Sequence, residues 1–228
     1  MSLQNFLAEM EDDYGWREQE LVDLDNAETE ISSVSEEMYR RATILLVYAH
    51  MEGFCQFCLL HYVRFVNQQE LTCGEVSYRI AASCMKDVFH DLRYPESKTN
   101  DLDVPDAKES SLVTLAREDI FLEKISQFYE EKAQLSDKVV DLESNLKPIV
   151  LRKNLFRLGL SYSLFDDYMG DIHRLLRVRN DIAHGSRKSG IKKNEYEEMR
   201  DSGKKVMEGV KHEISQAVKE SRFCRDAG

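Results

Sequence analysis

Arg179, Asn180 and His184 fall within one and a half helical turns, in the stretch Arg177-Val178-Arg179-Asn180-Asp181-Ile182-Ala183-His184-Gly185. These residue types handle phosphates. A guanidinium grips a phosphate bidentately, and a histidine both accepts and donates protons near neutral pH. Arg179 stands on an apolar stripe, between Leu175 or Leu176 and Ile182 or Ala183. A guanidinium there needs an anion or a carboxylate, because an unpaired buried charge is prohibitively costly. A structural ion pair and a phosphate site both meet that need. His184 shares a helix face with Asn180, and with Arg177 and His173 further up it. Gly185 suits the left-handed residue that ends a helix, which places His184 at the helix C-terminus.

Five positions separate Arg179 from His184, about 140° around a helix, so the two cannot grip one atom from the same side. One copy is half a site. A symmetric dimer packing these helix ends together would pool two arginines and two histidines in one groove. That composite is chemically sufficient for RNA cleavage without a metal. The 2′-hydroxyl is the internal nucleophile, histidine assists proton transfer, and arginine neutralises charge growing on the phosphate.

The elements that must position these residues read as helices throughout. Residues 3 to 31 form a long helix, with Leu3, Leu7, Met10, Tyr14, Leu21, Leu24 and Ile31 facing a neighbour. Its other face carries ten Asp or Glu against Arg17 alone, a solvated face or one that meets a basic partner. Ser33 and Glu36 have capping-box spacing and open a second helix to about Asn67, with a stripe through Met38, Ala42, Leu45, Leu46, Ala49, Gly53, Phe54, Phe57 and Leu60; it is apolar on more than one side and so central to a bundle. Within it His50, Cys55, Cys58 and His61 suggest half a zinc site, but the two histidines lie about 16 Å apart along a helix. Buried packing is the better expectation for them. Thr72 and Glu75 have the same capping-box spacing and predict a helix through Val76 to Leu92. Residues 93 to 111 read as a polar loop, and Leu112 to Ala133 as a helix. Residues 134 to 147 read equally as a turn of helix or a short extended piece. Pro148 starts a short helix that ends at Gly159. Leu164 to His184 is the motif-bearing helix, followed by a basic loop and a last helix capped by Asn194 and running to about Phe223.

The expected architecture is an all-α helical bundle in one domain, residues 1–228, with short loops. It comprises an added acidic N-terminal helix (1–34), central helices (36–92), an insertion with one helix (93–147) and the motif-bearing helices (148–228). Its net charge of −11 argues against a general nucleic-acid coat protein. The distribution is uneven: Arg174 to Lys193 carries +6, leaving −17 on the rest, and a site feels nearby charge more than the screened total. The longest apolar run, Ala42 to Ala49, is short for a membrane span. No secretory signal is legible at the N-terminus. Five scattered cysteines suit free thiols in a reducing cytoplasm. No cofactor or metal is expected.

Arg179-Asn180-Asp181-Ile182-Ala183-His184-Gly185 resembles the Arg-polar-x3-His signature of the HEPN superfamily. Tyr48-Ala49-His50-Met51-Glu52-Gly53-Phe54, and Ser144-Asn145-Leu146-Lys147 with Leu158-Gly159-Leu160, resemble its bacterial MAE-type nucleases. The resemblance implies a helical bundle, a homodimer and a metal-independent endoribonuclease of toxin–antitoxin or host-defence systems, with an antitoxin as partner. It implies Arg179 and His184 as catalytic pair and Asn180 as the polar residue following the arginine. Arg177, Arg187 and Lys188 would contact the RNA backbone, and Glu52 would support the site, with Arg179 as its expected ion partner. The alternative is a non-catalytic HEPN module that binds nucleotide, RNA or protein.

Overall fold

A 35-residue helix with apolar side chains on several faces needs several neighbours, and Ser33–Asn67 has three. In chain order the computed structural model has α1 (Leu3–Glu28), α2 (Ser33–Asn67), α3 (Tyr78–Cys84), α4 (Lys86–Arg93), α5 (Ser110–Phe128), α6 (Pro148–Arg157), α7 (Met169–Ala183) and α8 (Lys193–Lys219). It describes residues 1–31, 33–94 and 110–225. Among these there is no strand, only two isolated bridges, so the all-α expectation holds.

α1, α7 and α8 pack around α2, and α8 also meets α1 and α7, which closes a four-helix bundle. Ile44, Tyr48, Met51, Phe54, Leu59 and Tyr62 fill its centre from α2. Val206, Met207, Val210 and Ile214 face them from α8. A second group stands beside the bundle: α3 against α4 and α6, α4 against α5, and α6 against α7. α2 is long and apolar enough, by length and composition, to cross a membrane, which corrects the expectation drawn from the Ala42–Ala49 run. In this fold most of its apolar surface serves as core, but Met38, Ala42, Leu46 and Ala49, expected on its buried stripe, are exposed.

Packing explains the cysteines and histidines of α2. His61 stacks on Phe6 with ring centres 4.4 Å apart and bonds the Phe6 carbonyl at 3.2 Å. His50 meets the Trp16 ring and Glu20. Cys55 and Cys58 are free and fully buried, and burial pushes the Cys55 thiol up to about 12.

Several element boundaries differ from expectation. Phe6, unassigned in the sequence reading, is fully buried, whereas Leu3 is exposed. The helix expected from Thr72 begins only at Tyr78 and is broken at Met85. The Thr72 N–H and hydroxyl do meet Glu75 Oε2, but they close a turn. The backbone of this segment pairs elsewhere: Cys73 N–H with the Glu131 carbonyl and Ser77 N–H with the Phe223 carbonyl. The same pairing ends α5 at Phe128 instead of Ala133. Residues 134 to 147 contain one 3-10 turn, Asp137–Val139. A second, Asp166–Tyr168, precedes α7 and shortens it relative to the expected start at Leu164. Asn194 lies inside α8; the N-cap is Lys192, with no side-chain bond. Of the loop expected over residues 93 to 111, residues 95–109 lie outside the described residues.

Candidate active site

α7 reaches the bundle because Ile172, Leu175, Leu176, Val178 and Ile182 form one buried side. Arg179 lies at the edge of that side, half-buried, with its guanidinium carbon 4.8 Å from the centre of the Tyr48 ring on α2. Its Nη1 donates to Asn145 Oδ1 at 2.9 Å and to Asn180 Oδ1 at 2.8 Å. All three partners are neutral. The Nε and Nη2 donors have no protein acceptor among the described residues, so the guanidinium is held in place without its charge being compensated.

A second set of bonds holds the holders. The Tyr48 hydroxyl donates to Glu52 Oε1 at 2.8 Å, and the Leu146 N–H donates to both Tyr48 Oη (2.9 Å) and Glu52 Oε1 (2.8 Å). Burial, then the bond to Glu52, raises the Tyr48 phenol well above its ordinary range, so it stays a donor at neutral pH. Glu52 thus meets a phenol and a backbone amide. This corrects the expectation of an ion pair with Arg179, which does not form among the described residues. Asn145 and Leu146 are presented by a tight turn in which Glu143 and Ser144, neither of them glycine, adopt φ of +49° and +70°. The buried amide of Asn154 on α6 clamps the start of that loop through the Asp141 N–H and carbonyl.

His184 is the C-cap of α7, exposed, with its N–H on the Asn180 carbonyl at 2.9 Å. Gly185 follows at φ +75°, the left-handed stop the sequence predicts. Within one chain Arg179 and His184 share no hydrogen bond among the described residues; the first faces α2 and the second faces solvent. Arg177 and Lys188 are exposed, and Lys188 lines a shallow depression with Asp181, Ser186 and Ser189. Arg187 has another task. Its guanidinium pairs with both oxygens of Glu195 at 2.9 Å and its N–H meets the Asp181 carbonyl, so it ties the basic loop to α8.

Tyr48 and Asn145 were not singled out as site residues from the sequence. The signal was present in the two stretches that contain them, but not the geometry that joins them to Arg179. Beside Tyr48 and Glu52, α2 presents Met38, Ala42, Leu46 and Ala49 to solvent at helical spacing. Leu46 is 41% and Met38 48% exposed, which makes an apolar stripe next to the motif.

A helical bundle presenting Arg-polar-x3-His at the end of one core helix defines the class as a HEPN domain. A family model described as RiboL-PSP-HEPN matches residues 12–216, and the chain belongs to that family. The matching family is thus the RiboL-PSP branch, where the sequence resemblance was to the MAE-type branch. Searches of curated proteins and of solved structures found no significant match.

Proposed function

We propose that this HEPN module is a metal-independent endoribonuclease whose site is completed by a second copy of the chain. The observation that carries the reading is Arg179: a cation fixed by Tyr48, Asn145 and Asn180, with two donors left for a phosphate. Dimerisation is supported by the stripe of Met38, Ala42, Leu46 and Ala49 beside it. In the proposed reaction the 2′-hydroxyl attacks the adjacent phosphorus and one His184 takes its proton. The bond from phosphorus to the 5′ oxygen breaks, and the second copy's His184 protonates that oxygen. The products are a 2′,3′-cyclic phosphate and a 5′-hydroxyl end. Arg179 meets the charge that builds on the non-bridging oxygens. Asn180 orients Arg179, and Arg177 and Lys188 follow the RNA backbone; Arg187, engaged by Glu195, supports the loop. In this reading the protein is a cytoplasmic toxin or host-defence component restrained by an antitoxin.

The test is incubation of the purified protein with mixed RNA in EDTA, beside Leu46→Glu. A charge on the stripe is expected to convert dimer to monomer in sedimentation and to abolish cleavage together. RNA bound but never cut would favour the non-catalytic module. A Leu46→Glu monomer with full activity would contradict the shared site.

A further inference from the structure

We propose that the groove between α3, α4 and α6 is a docking track for single-stranded RNA leading to the Arg179 site; the choice of occupant rests on the nuclease reading above. The groove is a cavity of about 620 Å³ lined by, among others, Tyr78, Arg79, Lys86, Arg93, Tyr94 and Phe156. Several arginines of this chain meet carboxylates: Arg40 with Glu28 and Glu36, Arg187 with Glu195, Arg200 with Asp25 and Arg222 with Glu213. Those of the motif, Arg177 and Arg179, do not among the described residues. Arg79, Lys86 and Arg93 form no ion pair among the described residues, although acids outnumber bases 42 to 31 in the sequence. Asp87 is the single acid among the lining residues.

The aromatic side chains point the same way. Tyr78 is 69%, Tyr94 60% and Phe156 48% exposed, three large rings presented to water around one groove. The Arg79 guanidinium already lies 4.5 Å over the Phe156 ring, which shows that this ring accepts a planar cation on its face. Cations without an ion pair among exposed rings match what a single strand offers, phosphates along one edge and unstacked bases along the other. Arg225 lies 4.4 Å over the Tyr78 ring as Arg79 does over Phe156, so each of these two rings has one face already covered. Duplex RNA hides its bases and suits such rings poorly. On a body of net charge −11, a local basic track is what brings a polyanion to the surface.

The groove also leads to the motif. A second depression of about 460 Å³ shares Phe156 and Arg157 with the first, begins at Ile149 and adds Arg152 and Lys153, which are ion-paired with Asp166 and Glu143. Four residues before Ile149 stands Asn145, which holds Arg179. Ile149 and Phe156 are about 10 Å apart along α6, and the turn that carries Asn145 directly precedes this helix, a short track for the strand that enters the cut site.

The experiment uses the full chain in a His184→Ala background, so that bound RNA stays intact. Binding of a fluorescent single-stranded RNA is followed by anisotropy across a salt series. Lys86→Glu with Arg93→Glu is expected to weaken binding at least tenfold and to make the log–log salt slope shallower by about 1.4, from two phosphate contacts at about 0.7 each. Tyr78→Ala with Tyr94→Ala is expected to weaken it at least fivefold with the slope unchanged. Lys204→Glu with Lys205→Glu, a matching double charge reversal on α8 outside the groove, controls for net charge and is expected to stay within twofold. Circular dichroism confirms that each variant is folded. Affinity indifferent to both groove pairs, or duplex bound as tightly as single strand, overturns the proposal. Binding that depends on the groove in a wild-type protein that cuts nothing would sink the nuclease reading and support the track. Cleaving protein whose RNA affinity ignores the groove does the reverse.

Discussion

Replacing Tyr48 by phenylalanine and by leucine separates two tasks of that side chain. Tyr48→Phe removes the hydroxyl that donates to Glu52 and accepts from Leu146, but keeps the ring beneath Arg179. The Leu146 N–H retains Glu52 as acceptor, so no buried donor is orphaned. The loss is one hydrogen bond to a charged group, about 2 kcal/mol. In a chain of this size each kcal/mol moves the melting temperature by about 2–4 °C, so Tyr48→Phe is expected to melt about 4–8 °C below wild type. Tyr48→Leu also removes the ring face under the guanidinium, about 1 kcal/mol of orientation for Arg179. Its single-turnover cleavage is expected to fall about fivefold below that of Tyr48→Phe at a temperature where both are folded. Thermal melts followed by circular dichroism and single-turnover cleavage at 25 °C give the two readings. Wild-type melting in Tyr48→Phe, or equal turnover in the two variants, would refute the account of how Arg179 is held.

Three other outcomes are expected. The Arg187 hydrogen bond holds the Glu195 carboxyl below its ordinary range, so the pair contributes fully above the ordinary glutamate range and its contribution is lost as pH falls through the lowered value. Arg187→Ala should therefore cost about 1 kcal/mol at pH 7, and its deficit in melts should shrink progressively as pH is lowered through and below the ordinary glutamate range. A Cβ on Gly190 would stand 2.3 Å from the Glu37 Cβ and 2.9 Å from its carbonyl carbon, beside the Ile191 N–H bond to the Glu37 carbonyl. Gly190→Ala should destabilise the protein by about 1–3 kcal/mol in denaturant titrations; a midpoint matching wild type would show that the loop shifts freely. Cys55 and Cys58 are buried with raised thiols, so mass spectrometry after brief iodoacetamide treatment at pH 8 should find them unmodified in native protein and alkylated in guanidinium.

The bundle was legible where burial follows period. α7 carries its core on the spacing that sequence shows, and Pro148 at the start of α6 and Gly185 after α7 mark helix termini as their backbone preferences require. On α2, apolar on more than one side, the stripe through Met38, Ala42, Leu46 and Ala49 looks like core but is exposed, while Ile44, Tyr48 and Met51 are buried. Boundaries set by distant partners were not legible. Thr72 and Glu75 have the local pattern of a helix start, but Cys73, Gly74 and Ser77 bond residues 129, 131 and 223, which no local pattern announces. The same holds at the site. Arg179 stood out because a guanidinium on an apolar stripe needs an explanation, and Asn180 is its immediate neighbour. Asn145 lies 34 residues away on a turn whose left-handed residues are Glu143 and Ser144, where no glycine signals the geometry. Glu52 was recognisable as a carboxylate in need of a partner; a phenol four residues on the N-terminal side and an amide 94 residues away supply it. Arg187 read as a free cation only because Glu195, on the next helix, is invisible to charge counting.

The account rests on Arg179 and His184 acting on one phosphate, and end-group analysis of cleaved RNA tests that most directly. Wild type, Arg179→Ala and His184→Ala are each incubated in EDTA with a defined single-stranded RNA, and the products are examined for 2′,3′-cyclic phosphate and 5′-hydroxyl ends. The account predicts such ends from wild type and a loss of at least a hundredfold in rate in each variant. Cleavage that requires added metal, leaves 5′-phosphate ends and proceeds unchanged in both variants would contradict it.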